Sequence, residues 1–439
     1  MTDGKYKRFY FAAVTACIVL FITAISFPLN AQVKATRITE KLNNAAAVKK
    51  FHTLAGAHAY WFADAGNAFI LRRSLLTLVD TCRMFGLNPA KYHQQFLRMY
   101  IMPGKADSAV LHTIDDVFTD AAIGVCRDIY AGNITGYLSY DEITPKYADS
   151  TLNYIIRSLA AVKNGSMLRA LVDTLEPPYE QYRTLKADLA LAYKYQAADK
   201  IKKITSALNY LRWITHFRFR KFILVNIPSA TLDFYNGDSV LTMKVVVGKP
   251  STKTPRFAAY CTQVVLYPYW NVPASIALHE LLPKFKKSPA LVDGMNMQVI
   301  DGNGRVVNHH NINWSAYSAS NFPYQLRQST GCDNSLGVIK FNLTDPFNVY
   351  MHDTNYKLAF LLASRYLSHG CIRVEKPLEL ANSILAQPVD SNFVNACLKD
   401  QKPVELQLPE PVPVLVLYLI TNPDHNIDAP FYKDIYKMF

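Results

Sequence analysis

The chain has 439 residues, of which 50% are hydrophobic and 18% charged, so it can bury substantial cores and is not a disordered polyelectrolyte. Its length allows about two to four domains. A formal charge of +13 suits an anionic partner such as a wall polymer, a membrane surface or nucleic acid, and does not choose among them.

The first segment bears on compartment. Lys5, Lys7 and Arg8 precede an uncharged apolar run from Phe9 to Phe27, which Pro28 breaks before Leu29-Asn30-Ala31. This is the layout of a secretory signal, and the run is also long enough for an uncleaved anchor. Either reading of residues 1–31 predicts an exported, periplasmic or cell-envelope protein, with membrane attachment through this segment in the second case. Cys17 lies in that run. Cys82, Cys126, Cys261, Cys332, Cys371 and Cys397 are scattered, without a C-x-x-C pair or a zinc-finger spacing. In an oxidising compartment some could pair, and a nucleophilic cysteine among them would leave at least one other free.

Residues 40–215 read as a helical domain. Leu71, Leu75, Leu78, Val79 and Cys82 share a helix face before Gly86 and Pro89. Ile114, Val117, Phe118, Ala121, Val125 and Ile129 repeat the pattern up to Gly132, and Leu152, Ile155, Ile156, Leu159 and Val162 repeat it before Gly165. Pro177-Pro178 interrupts, and helical text resumes through Leu185, Leu189, Leu208 and Leu211. No catalytic residue types cluster here, so the region reads as a scaffold.

The character changes near Arg220. Phe222–Ile227 is strand-like, Leu232 and Phe234 alternate, Asn236-Gly237 supplies hairpin turn chemistry, and Leu241, Met243, Val245 and Val247 alternate after it. Residues 274–330 interrupt this β-rich text with a short helix over 276–285, a hairpin around Asp301-Gly302-Asn303-Gly304, and polar and aromatic residues. Within them His309-His310 could ligate a metal, but the polar text around them reads as solvated histidines. Sheet text resumes at 337–341 and 349–352, a helix is expected over 378–385, and a buried closing strand over 414–420. The fold class is therefore α+β: a helical domain, then a β-rich domain over 220–439 with an insertion.

The chemistry-bearing text is His352-Asp353-Thr354 and Ser368-His369-Gly370-Cys371-Ile372-Arg373. A cysteine nucleophile needs a base within reach and donors aimed at the developing oxyanion. His352 ends a predicted strand, and Cys371 follows a glycine at a predicted turn 19 residues later, far enough for the chain to return beside the first strand. On residue types alone a buried structural cysteine and a zinc ligand remain open beside the nucleophile.

Ser-His-Gly-Cys-Ile-Arg at 368–373, with His352 upstream, resembles the signature of the L,D-transpeptidase catalytic domain (YkuD-type). The blocks Val225-Asn226-Ile227-Pro228, Val247-Gly248-Lys249-Pro250, Pro268-Tyr269-Trp270-Asn271-Val272-Pro273, Leu336-Gly337, Tyr350-Met351-His352-Asp353-Thr354 and Asp434-Ile435-Tyr436 resemble its YcbB-like branch. The likeness covers 220–439 strongly and the helical region weakly, around Leu175-Glu176-Pro177. It implies Cys371 as nucleophile, His352 as its base, and the Asp353 carbonyl fixing the imidazole tautomer. It also implies an oxyanion site made by His369 and the N–H groups of Gly370 and Cys371, with Ser368 in the same loop. Arg373 would order the loop, meet a substrate carboxylate, or sit in an ion pair behind the site. Tyr269, Trp270 and Asn271 would wall the groove or pack in the core. No metal and no cofactor are implied. The insertion resembles that branch's substrate-capping subdomain, whereas the small wall-binding domain often inserted in the branch's scaffold has no room between Leu185 and Leu208.

The activity implied is cross-linking of peptidoglycan stem peptides at 3→3 positions through a cysteine thioester, with a carbapenem as expected covalent inhibitor. The same fold could instead tether a protein, exchange a D-amino acid or hydrolyse a stem. A wall-binding scaffold with an idle cysteine fits less well, because a retired site need not keep His352, His369 and Cys371 together. A nucleic-acid partner is not expected, since no recognition motif accompanies the basic charge.

Overall fold

The computed structural model describes residues 40–439, apart from 57–58, 64–66, 105, 134–144, 179, 216–218 and 422–430 and the side chains of 145–149. The expected signal or anchor over 1–31 lies outside the described residues. Among those residues no helix is long and apolar enough to cross a membrane.

The helical region packs on the apolar stripes expected of it. Helix Asn67–Thr81 buries Leu71, Leu75 and Val79, then tightens into a 3-10 turn (Cys82–Phe85) closed by left-handed Gly86. The central helix Ser108–Ala131 is buried along much of its length and meets helices Ala45–Ala55, Pro145–Ala160 and Gly165–Leu175 in one core. Gly165 begins a helix rather than stopping one, because Asn164 before it caps the N-terminus by accepting from Met167 N–H. The region also holds buried acids, Asp115, Asp120 and Asp128. Asp120 accepts from the N–H groups of Asn43 and Asn44 at 2.8 and 3.0 Å and pairs with His93 at 2.7 Å, so it anchors the entry to the first helix. Helices Glu180–Lys194 and Ala198–Thr215 are joined through only residues 195–197.

The last of these helices docks on the β domain. Tyr210 and Trp213 pack on Leu224, Ala258, Leu415 and Leu417, and Tyr210 accepts a hydrogen bond from Arg256 at 3.0 Å. Removing so buried an indole from an interface of this kind costs about 3–5 kcal/mol.

The β domain is a rolled sheet. Strands β1 (Lys221–Asn226), β2 (Thr231–Asn236), β3 (Ser239–Gly248), β4 (Phe257–Leu266), β9 (Ile339–Leu343), β10 (Met351–His352), β11 (Tyr366–Ser368), β12 (Ile372–Val374) and β13 (Val404–Leu417) run in the order β11-β3-β12-β10-β9-β4-β13-β1-β2. β3 also pairs with β2, which closes the sheet on itself. Gly237 turns the β2–β3 hairpin at φ +60°, a conformation that suits glycine. The interior is filled by Val225, Val245, Val247, Phe257, Val264, Phe341, Met351 and Ile372 with helix Pro377–Ile384 against it.

The insertion forms its own small sheet, β5 (Trp270–Asn271), β8 (Gln325–Gln328), β6 (Met297–Ile300) and β7 (Val306–Val307), so its sheet begins before and ends slightly short of the 274–330 read from composition. Its helical segment over 274–287 carries a π-helical stretch at Ala277–Leu281, and Phe285, Trp314 and Leu326 fill its core. The two ends of the insertion leave the barrel side by side. Asn334 Nδ2 donates to the Pro268 and Ser329 carbonyls at 3.1 and 2.8 Å, Ser329 Oγ donates to Asp400 at 2.7 Å, and a Cys332–Cys397 disulfide ties the exit to the C-terminal part. Cys82, Cys126 and Cys261 are free and buried, and Cys371 is free and half-buried.

Candidate active site

Strand register builds the site. β10 pairs in parallel with β12, setting His352 opposite Arg373, and in antiparallel with β9, setting His352 opposite Lys340. The Ile372 N–H donates to the Tyr350 carbonyl at 3.1 Å, which continues the ladder one residue earlier. Side chains two apart on a strand share a face, so Tyr350, His352, Cys371, Arg373 and Lys340 converge on one side of the sheet although 31 positions separate Lys340 from Cys371. Lys340 Nζ stands 4.3 Å from the Tyr350 ring centre, and the Tyr350 and His352 rings are 5.6 Å apart.

Each polar group has a specific environment. Burial pushes the Cys371 thiol up, against the Tyr350 N–H and hydroxyl and the Lys340 ammonium, which favour the thiolate. Burial and then the charge of Arg373 push His352 down to about 3, with Lys340 adding to the effect. The resting pair is therefore a neutral thiol beside a neutral imidazole. His352 Nδ1 donates to the Asp353 carbonyl at 2.5 Å, leaving Nε2 as the ring's basic nitrogen. Among the described residues no hydrogen bond joins His352 to Cys371: the fold brings them to one face without closing the contact. Burial also lowers Arg373 and Lys340. Arg373 makes no ion pair among the described residues, its Nε is shut from solvent without a hydrogen-bond partner, and its charge acts on Cys371 through space.

The Cys371 loop is braced from two directions. Ser368 Oγ donates to the Cys371 carbonyl at 2.6 Å and accepts from the Gly370 N–H at 3.1 Å, so that N–H is already engaged in the resting loop. Gly370 holds φ +122°, which only glycine adopts readily. Behind it, Thr254 Oγ1 donates to the Gly370 carbonyl at 2.7 Å and accepts from Gly248 N–H. The Tyr436 hydroxyl donates to the Gly248 carbonyl at 2.7 Å, which explains why the sequence blocks at 247–250 and 434–436 accompany the cysteine. A Cβ on Gly248 would lie 2.1 Å from the Thr252 carbonyl oxygen, so the turn admits no larger residue.

Other expected site residues are distributed as follows. Asp353 is buried, accepts from Val338 N–H at 3.0 Å and pairs with Lys357. His369 is exposed and reaches away from the sheet to Glu280 Oε1 at 2.7 Å, in the π-helical stretch of the insertion. Trp270 hydrogen-bonds through its indole N–H to the Tyr350 hydroxyl and so borders the thiol's neighbour. Tyr269 lies under the Arg327 guanidinium at 4.2 Å, and Asn271 is exposed on β5. Sequence reading assigned no role to Tyr350, Lys340 or Glu280. Tyr350 could have been found from its place two residues before His352, and Lys340 from being a charge inside an apolar strand; Glu280 carried no such signal. A cavity of about 500 Å³ in the insertion, bordered by Leu278, Leu282, Lys286 and Tyr317, includes none of the residues around Cys371.

Residues 220–405 match the profile of the L,D-transpeptidase catalytic domain (YkuD), and residues 46–189 that of the scaffold domain. A Haemophilus influenzae protein named "Putative L,D-transpeptidase" is 33% identical over 288 residues, 65% of this chain; the chain spans 58% of that relative's length. Among solved structures, an L,D-transpeptidase from Mycobacterium smegmatis shares 14% identity over 45% of this chain and 58% of its own, with a TM-score of 0.20. L,D-transpeptidase 1 of Mycobacterium tuberculosis shares 15% identity over 45% of this chain and 61% of its own, with a TM-score of 0.18.

Proposed function

Because residues 220–405 belong to the L,D-transpeptidase catalytic-domain family and follow its scaffold domain, we propose that this chain is a peptidoglycan L,D-transpeptidase that forms 3→3 cross-links through a thioester on Cys371. The observation that carries the reading is the convergence of Cys371, His352, Tyr350, Arg373 and Lys340 on one sheet face inside that domain.

In the first step the Cys371 sulfur attacks the carbonyl of the third stem residue, a diamino acid. Its proton passes to His352 Nε2 as the S–C bond forms, and then to the departing amine of the terminal D-alanine. In the second step the side-chain amine of another stem attacks the thioester, gives its proton back through His352, and releases the Cys371 thiol. A neutral resting pair requires proton transfer to accompany attack rather than precede it, since Arg373 and Lys340 disfavour an imidazolium. The same cations, with the Cys371 N–H and the Tyr350 hydroxyl, favour negative charge at sulfur and at the tetrahedral oxygen. The accessible part of the Arg373 guanidinium would receive a stem carboxylate. The insertion acts as a cap that excludes water in favour of the amine.

Residues 1–31 would export or anchor the chain, and the Cys332–Cys397 disulfide supports an oxidising compartment. The test is incubation with purified tetrapeptide muropeptides, followed by intact-mass analysis. Gain of an acyl group with loss of D-alanine, then appearance of dimer, is expected and should vanish in Cys371→Ala. Hydrolysed stem, exchanged D-amino acid or tethered protein as the main product would reassign the acceptor while keeping the thioester. A carbapenem should add one equivalent of mass, mapped to the Cys371 peptide. Turnover surviving in Cys371→Ala would overturn the reading.

A further inference from the structure

The insertion holds a second cluster of ligating groups that the proposed transpeptidation does not use. Asp293 closes the short helix Leu291–Gly294, and His309 and His310 occupy the 3-10 turn His309–Asn311 beyond the β6–β7 hairpin. One ligand atom from each of the three lies within 4.8 Å of the others. His309 Nε2 is 3.1 Å and His310 Nε2 3.7 Å from the same oxygen, Asp293 Oδ2. Two donors held about 2.0 Å from a tetrahedral ion are about 3.3 Å apart, and the 3.1 and 3.7 Å separations bracket that value.

An ordinary histidine–aspartate pair explains this arrangement less well. Although 3.1 Å from the carboxylate, His309 Nε2 is shut from solvent and makes no hydrogen bond. The nitrogen and the oxygen are close without pointing at each other, as two groups are when both aim at a third body. The two ring centres are also only 4.1 Å apart, with their planes tilted by 39°, a poor arrangement for two imidazolium cations and an acceptable one for two neutral ligands. His309 is thus not the solvated residue its polar context suggests, being only 15% exposed, whereas Asp293 and His310 face solvent and leave the cluster open on one side.

We propose that Asp293, His309 and His310 form a binding site for a divalent ion of the zinc class, with a fourth position open to water or a carboxylate. Two imidazoles and one carboxylate suit Zn²⁺, whereas Ca²⁺ and Mg²⁺ take oxygen ligands. The ion would clip the helix before β6 to the turn after β7, fastening the hairpin at its base and stiffening the insertion without entering the chemistry at Cys371.

The test uses tag-free, full-length protein carrying Cys371→Ala, so that the reactive thiol cannot bind the metal. Titration calorimetry with Zn²⁺ should give one equivalent per chain, Co²⁺ should produce the visible band of a tetrahedral site, and Zn²⁺ should raise the melting temperature. Adding His309→Gln or Asp293→Asn should weaken binding at least ~10-fold. Adding His310→Gln, at an exposed position where folding is not at stake, should weaken it similarly. Absence of binding, or an affinity unchanged by His310→Gln in protein with unaltered circular dichroism, overturns the proposal. Neither result bears on transpeptidation, which is read separately.

Discussion

His369 Nε2 sits 2.7 Å from Glu280 Oε1, so the loop that carries Cys371 is clasped by a residue 89 positions away in the insertion. Both partners are exposed, and a pair of this kind contributes ~0–1 kcal/mol, too little to hold the fold together. Its effect is expected on closure. Glu280→Ala should leave the melting temperature nearly unchanged while raising hydrolysis relative to amine transfer by roughly 3-fold or more. Product ratios from muropeptides, measured by chromatography, decide; an unchanged ratio removes the clasp from the mechanism.

Gly337 and Asp353 make a second test. Gly337 holds φ +61°, and a Cβ there would lie 2.3 Å from Asp353 Oδ2. The carboxylate binds the Val338 N–H, and the carbonyl of the same aspartate fixes the His352 ring. Gly337→Ala should therefore cost roughly 2–3 kcal/mol of stability and lower turnover far more than substrate binding. Full turnover in the variant would mean the imidazole does not depend on this contact.

The depressed pKa of His352 makes a stability prediction with a definite sign. The group is near 6.5 when unfolded and about 3 in the fold, so between those values the unfolded chain binds more protons. Its contribution is complete above pH 6.5 and is lost as pH falls toward 3, an effect on the order of 5 kcal/mol at most. Urea unfolding of the β domain at several pH values should show the wild type losing more stability on acidification than His352→Gln. Parallel curves would contradict the buried neutral imidazole.

Resting Cys371 should be a sluggish thiol. With burial raising its pKa and no imidazolium to assist, iodoacetamide alkylation at pH 7 should be slower than for free cysteine and should climb through and beyond the ordinary thiol range. A step in the rate near pH 6.5 would instead reveal a histidine–thiolate ion pair.

The disulfide closes a 65-residue separation. Chain entropy sets an upper contribution of about 4 kcal/mol, so Cys332→Ala with Cys397→Ala should lower stability by ~2–4 kcal/mol and loosen the exit of the insertion. Unchanged denaturation with unchanged proteolysis at 328–334 would show that Asn334 and Ser329 suffice.

Much of this architecture was legible from local signals. The Asn236-Gly237 turn, the alternation through Val247 and the glycine before Cys371 each express backbone chemistry in a few residues. β4 was missed because it is covered on both faces: Phe257 and Ala259 point into the barrel while Ala258 meets Trp213, so its text does not alternate. β13 runs over Val404–Leu417 rather than the expected 414–420, because its first half is polar and carries Pro409 and Pro411, outside the apolar run. The ladder to β4 shifts between Gln407 and Val412, which is where the strand tolerates Pro409 and Pro411, while Pro413 pairs with Tyr260 in the resumed ladder. At the site, Cys371 and His352 were legible as motif text, whereas Lys340, Glu280 and the turn of His369 toward the insertion arise from pairings between distant segments. Such partners follow from register and docking, neither of which is written in the local sequence.

The bonds from Asn334 to Pro268 and Ser329 have a consequence for how such proteins diversify. Because the insertion enters and leaves the barrel at neighbouring points pinned by one amide, it is a cassette in a socket. Its length and surface can vary away from Trp270 and Glu280 while the ladder that holds Cys371 stays in place, whereas a change at either of those two residues reaches the site itself.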